Sequence, residues 1–142
     1  MDRRRFLAAA GAAGVAATGA LSGCLGAQGG SATAYDVGMT ATEFAPEEVT
    51  VAVGETVVWR NNSSRTHTVT AYEGALPEGA EFFATGGFED EETAREAWWS
   101  DRGGALENGE EFTHTFEVAG TYDYVCIPHE QGGMLGTVVV EE

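Results

Sequence analysis

From Val49 to Trp59 the chain reads Val-Thr-Val-Ala-Val-Gly-Glu-Thr-Val-Val-Trp, an apolar and polar alternation on both sides of Gly54. A period of two sends successive side chains to opposite faces, so this stretch suits two strands that each bury one face, not an amphipathic helix. Comparable short runs span Tyr35–Thr40, Val49–Val53, Thr56–Asn61, His67–Tyr72, Glu111–Val118, Gly120–Val125 and Gly136–Val140, punctuated by Gly, Asn, Ser and Pro. Strands of this length and spacing predict one all-β domain from Ala34 to Glu142, a sandwich or barrel of about seven or eight strands around Val, Phe, Tyr and Trp59. Glu73–Gly109 breaks the pattern and is too long for a simple loop, so it should contain structure of its own. Within it, Asp90–Trp99 reads as a helix. Its first turn is acidic, Glu91 precedes Arg95 by four residues, and Phe88, Ala94, Ala97 and Trp98 can form a packing stripe.

Chemistry concentrates near the C-terminus, in Cys126-Ile-Pro-His129-Glu-Gln-Gly-Gly-Met134. A thiolate, an imidazole and a thioether are soft or borderline donors that suit copper, and a His₂Cys set with a weak axial Met is the arrangement of blue-copper electron-transfer sites. His67 supplies the second imidazole from an earlier strand. Pro128 restricts the loop, while Gly132 and Gly133 permit the turn that brings Met134 back toward Cys126. The metal set is therefore His67, Cys126, His129 and Met134, holding one copper ion. After Cys24 the chain has only Cys126, so no disulfide can form within the mature domain.

These residues resemble the plastocyanin family of cupredoxins, and most closely the halocyanins of salt-loving archaea. The similarity extends to Phe44-Ala-Pro46, Val49–Trp59 and Gly120-Thr-Tyr122-Asp-Tyr124-Val-Cys126. It implies a cupredoxin Greek-key β-sandwich, with the 73–109 insertion carrying its short helix, and a type 1 copper protein that shuttles single electrons between membrane redox complexes without being an enzyme. Two positions depart from photosynthetic plastocyanins. Thr68 stands where they carry an Asn tying the two ligand loops, and Val125 precedes the Cys where they carry a Tyr.

Arg3-Arg4-Arg5-Phe6-Leu7 and the Ala/Gly-rich stretch to Leu21 resemble a twin-arginine export signal. The stretch is shorter and less apolar than the ~20 residues that span a bilayer. It ends in Leu21-Ser22-Gly23-Cys24, which resembles a lipobox, so residues 1–23 form a lipoprotein signal peptide and cleavage leaves Cys24 to carry a lipid. Residues 24–33 then form a flexible tether reaching about 15 to 18 Å. The expected location is outside the cell, anchored to the outer face of the cytoplasmic membrane.

Beyond residue 23 there are 22 acidic residues against Arg60, Arg65, Arg95 and Arg102, a net charge of −18, and the chain has no Lys. That balance excludes nucleic acid as a partner. Self-repulsion on this scale loosens a small domain unless salt screens it, and at about 1 M salt the Debye length is about 3 Å. The surface is therefore halophilic, and docking between this monomer and its redox partners should rest on short-range apolar contact. Ile127, Pro128 and Leu135 are the expected patch around His129. Trp98 and Trp99 are expected to pack against the sheet instead of relaying electrons, and His114, alternating with Phe112 and Phe116, is expected to be structural.

Other functions fit less well. A multicopper oxidase or nitrite reductase needs further His ligands, and only His114 remains. A binuclear copper centre needs a second Cys in the loop. The surviving alternative is a cell-surface copper carrier or scavenger with an open, exchangeable site. A cupredoxin fold serving only as a binding module fits poorly with four intact ligand positions.

Overall fold

The computed structural model describes residues 35–142; the signal segment, Cys24 and the tether lie outside the described residues. The described residues form eight strands: β1 (Val37–Met39), β2 (Phe44–Ala45), β3 (Glu48–Ala52), β4 (Thr56–Asn61), β5 (Thr70–Ala71), β6 (Glu111–Thr115), β7 (Gly120–Val125) and β8 (Leu135–Glu141). They form two four-stranded sheets, ordered β2-β1-β4-β6 and β3-β8-β7-β5. Each sheet is mixed: β1 runs parallel to β4 and β3 parallel to β8, while the remaining pairs are antiparallel. This is the all-β sandwich expected from the alternation.

The period-two pattern sets which side chains face inward. In β4, Val57, Trp59 and Asn61 are buried, and in β8, Gly136, Val138 and Val140 are buried. Trp59 is fully buried between the sheets, with the rings of Phe83, Phe112, Phe116 and Tyr124 at centroid distances of 5.4 to 6.4 Å. Such large aromatic surfaces supply most of the apolar burial in a small core. Gly136 sits opposite Tyr124 in the β7–β8 ladder, and a Cβ there would collide with the Tyr124 ring. The absence of a side chain at Gly136 leaves room for that ring against the β8 backbone.

Three expected strands are shorter than their sequence runs. The Tyr35–Thr40 run pairs only over Val37–Met39, and the Glu111–Val118 run leaves its ladder after Thr115, where the Phe116 amide donates to the Glu55 carbonyl. The His67–Tyr72 run is strand only at Thr70–Ala71. Upstream of it the backbone serves other partners: His67 exchanges two hydrogen bonds with Leu106 (3.1 and 2.7 Å), and the Val69 amide donates to the Thr85 hydroxyl. The ladder gives way because the Thr68 amide turns to the Cys126 sulfur. Strand β2 has no sequence signature, being two residues long, and is fixed by Phe44 packing edge-on to Tyr124 at 4.7 Å.

The 73–109 insertion holds a 3-10 turn at Glu73–Ala75 and helix α1, Glu91–Asp101. Asp90 caps α1 by accepting from the Thr93 amide, Glu91 and Glu92 complement the helix dipole, and Arg102 closes the far end in the left-handed conformation. The packing stripe is narrower than expected: Ala94 and Trp98 are buried, whereas Ala97 and Phe88 are only partly so. Trp98 packs on Val125 and Ile127, as expected, but Trp99 does not pack against the sheet and is 69% exposed. Adjacent helical residues point about 100° apart, so one of the pair faces the domain and the other leaves it.

Candidate metal centre

At one end of the sandwich β7 runs into a tight connection to β8, and this connection meets the segment carrying His67. Cys126 directly follows β7, and its amide donates to the Met134 carbonyl (3.1 Å), closing the loop at its base. The loop between them is a 3-10 segment, Ile127–Gly132, whose helical angles are interrupted at His129 (φ −120°, ψ 16°). Pro128 stands in its first turn and Gly133, at φ 88°, ends it, a left-handed angle that glycine adopts without cost. The amides of His129 and Met134 donate to the Cys126 and His129 carbonyls.

The structure brings three of the expected ligands together. The Nδ1 atoms of His67 and His129 each lie 3.4 Å from Cys126 Sγ, and the donor atoms of all three residues fall within 4.8 Å of one another. Among the described residues this is the only cluster of His, Cys, Asp and Glu with that spacing. Met134, the fourth, is buried in the same core cluster as Cys126. His67, Cys126 and Met134 are almost wholly inaccessible, and His129 is half-buried.

The protonation states suit a cation. Burial first, then the neighbouring His129, lowers the His67 pKa to about 4, and burial likewise lowers that of His129. Both imidazoles are thus neutral at neutral pH, each with one ring nitrogen free to bind a metal. Burial pushes the Cys126 thiol up to about 11, against donation from Thr68 and His129. A metal ion must therefore displace the thiol proton, and in a buried site only a strong thiolate binder does so. A soft sulfur, two neutral imidazoles and a thioether residue fit copper.

Several residues support the ligands; the sequence singled out Thr68 among them, but not Ser63 or Asn61. The hydroxyl of Thr68 accepts from the Ile127 amide (2.9 Å), so this threonine links the His67 and Cys126 segments, and its amide donates to Cys126 Sγ (3.5 Å). On the far side of His67, Nε2 lies 3.1 Å from Ser63 Oγ, whose proton goes to Asn61 Oδ1 (2.9 Å). Asn61 is fully buried and donates to the carbonyls of Arg65 and Leu106. With Nδ1 turned to the sulfur, this chain keeps the proton on Nε2 and fixes the ring plane. A buried Asn at an inward position of β4 was the available signal.

Two expectations about the surroundings divide. His114 is structural, its ring stacked on Phe83 and edge-on to Phe116, each at 4.7 Å. Ile127 does not belong to an exposed apolar patch: it is buried, turned inward against Trp98 and Val125. The apolar surface at this end consists of Leu135, 43% exposed, and the half-buried Pro128.

A two-sheet β-sandwich with a buried thiol and two imidazoles at one end defines a cupredoxin. Residues 31–141 match the copper binding proteins of the plastocyanin/azurin family, and the chain belongs to that family, one of blue copper electron carriers and not of enzymes. It is 37% identical over 98 residues to plastocyanin of Scenedesmus fuscus, covering 69% of this chain and 86% of that one. Against the chloroplastic plastocyanin of Hordeum vulgare it is 34% identical over 131 residues, covering 88% and 76% of the two chains. Among solved structures it resembles a reduced amicyanin variant with a TM-score of 0.53 and 30% identity, over 74% of this chain and 79% of that one. Its cofactor is copper. Among the described residues no helix is long and apolar enough to cross a membrane.

Proposed function

We propose that this protein carries single electrons between membrane-associated redox partners by outer-sphere transfer, with His67, Cys126, His129 and Met134 holding one type 1 copper ion. The observation that carries the reading is the convergence of two imidazole Nδ1 atoms on one buried sulfur at 3.4 Å, in a site that only His129 connects to the surface. When bound, copper supplies a one-electron couple between Cu(II) and Cu(I). Cys126 would hold the ion as a thiolate, His67 and His129 through their imidazoles, and Met134 through a weaker thioether contact. Loop and sandwich keep these groups in place in both states, so little rearrangement accompanies transfer. His129 is the electron port. Pro128 and Leu135 beside it form the apolar rim that a partner covers, which suits docking in brine, where long-range charge steering is screened.

The resemblance of the N-terminal sequence to an export signal supports a location outside the cell. In this reading a lipid on Cys24 and the 24–33 tether hold the domain at the outer face of the cytoplasmic membrane, as a monomer free to reorient between partners. A copper store or scavenger needs an exchangeable site, and burial of His67, Cys126 and Met134 speaks for redox use instead.

The test is to add Cu(II) and then ascorbate to the protein in molar salt, recording visible absorption and electron paramagnetic resonance. An intense blue band with narrow copper hyperfine splitting, bleached reversibly on reduction, is expected. Pale, weakly held copper with ordinary hyperfine splitting would refute the carrier reading and favour copper storage.

A further inference from the structure

Helix α1 lies in the insertion, remote in sequence from every ligand, yet it holds the metal-binding loop on both sides of His129. The Arg95 guanidinium forks onto Glu130, Nη1 to Oε1 at 2.7 Å and Nη2 to Oε2 at 3.1 Å, and the Tyr72 hydroxyl donates to the same carboxylate at 2.8 Å. On the other side of His129, Ile127 packs under Trp98 of the same helix. Between these two points the 3-10 segment loses its helical angles at His129 itself, so regular backbone structure does not continue through the ligand.

The helix is anchored independently of the loop. Glu73 and Glu91 cap each other, each amide donating to the other's carboxylate at 2.8 and 3.0 Å, and Arg95 Nε is fixed by Glu91 at 2.9 Å. The Arg102 guanidinium lies 5.1 Å over Trp98. In a chain with 22 acidic residues and four arginines beyond residue 23, one of the four positive charges is committed to the residue next to a ligand. Arg95 and Glu130 are only 28% and 34% exposed, so salt that screens the outer surface reaches this pair less. A bidentate guanidinium–carboxylate pair also fixes orientation, which a point charge does not.

We propose that Arg95 is a positioning residue for the metal centre, and that α1 is a brace holding the His129 loop in its ligating shape before copper binds. This deepens the copper-site reading and rests on it. Without Arg95, the Glu91 and Glu130 carboxylates face each other with no cation between them, and Glu130 is released. His129, tied to it by one peptide bond, then samples orientations that turn its Nδ1 away from the sulfur.

The test compares the wild-type protein with Arg95→Met, which keeps the apolar stem over Tyr72, and with Arg95→Lys, which keeps the charge but not the fork. Amide hydrogen exchange on the copper-free proteins is the first readout. In Arg95→Met, amides of residues 129–134 should exchange about tenfold faster, the scale of one partly buried charged hydrogen-bond pair, while those of β7 and β8 stay unchanged. Arg95→Lys should fall between. Copper-loaded Arg95→Met should show slower electron self-exchange than wild type. Unchanged exchange in the loop, or equal acceleration across the sheets, would overturn the proposal. A wild-type protein that lacked the blue band would refute the electron-carrier reading, and the copper-free exchange data would still decide whether α1 braces the loop.

Discussion

Replacing Thr68 with Val removes one hydroxyl where the two halves of the metal site meet and leaves the side chain's shape nearly unchanged. In the wild-type protein that hydroxyl accepts from the Ile127 amide at 2.9 Å, and both residues are buried, at 1% and 4% exposure. Valine leaves the amide without an acceptor in a place water does not reach. An unsatisfied buried donor costs about 1–3 kcal/mol, and the extra methyl group offsets at most about 0.8 kcal/mol of it. The net loss is therefore about 1–2 kcal/mol, which for a domain of this size lowers the melting temperature by about 5–10 °C. Thermal unfolding of the copper-free protein in molar salt, followed by tryptophan fluorescence, measures it directly. The Thr68 side chain also opposes the upward push that burial gives the Cys126 thiol, and so favours the thiolate. Its loss should lower the reduction potential as well, because hydrogen bonds to the sulfur relieve the charge that gathers on reduction. A melting temperature within about 1 °C of wild type would refute the claim that Thr68 ties the loops.

Cys126→Ser should abolish the blue band and the reversible couple while leaving a folded domain by circular dichroism; an intense visible charge-transfer band in that variant would sink the ligand assignment. Met134→Leu should retain copper and raise the reduction potential, since a weaker axial donor stabilises Cu(II) less, and voltammetry showing an unchanged or lower potential would show that Met134 is not axial. His114 is the one histidine outside the ligand set, and burial holds its pKa below the ordinary value. As pH falls through about 6.5 the unfolded chain takes up a proton there before the folded one does, so stability present above that pH declines below it. His114→Phe should flatten the fall in melting temperature of the copper-loaded protein between about pH 7.5 and 5.5, and an identical slope in both proteins would count against it.

Most strands were legible because a period of two is a local property: Val57 and Trp59 must share a face whatever lies opposite them. The helix was legible for the same reason, through Asp90, Glu91 and Arg95, and the nine residues from Cys126 to Met134 carry donor chemistry that few other functions use. The sequence by itself thus determined the sandwich, the metal-binding loop and the acidic surface. Only the tertiary structure decided that Ile127 turns inward, that Trp98 and Trp99 part company, that the His67 strand breaks to serve a sulfur, and that Arg95 reaches Glu130. Each of these depends on which distant partner meets a given side chain or amide, with Thr68 and Ile127 59 positions apart and Arg95 and Glu130 35 apart. Periodicity fixes the face a residue presents, but an apolar residue finds a core on either side of a loop, and a buried amide accepts whichever oxygen the folded chain delivers.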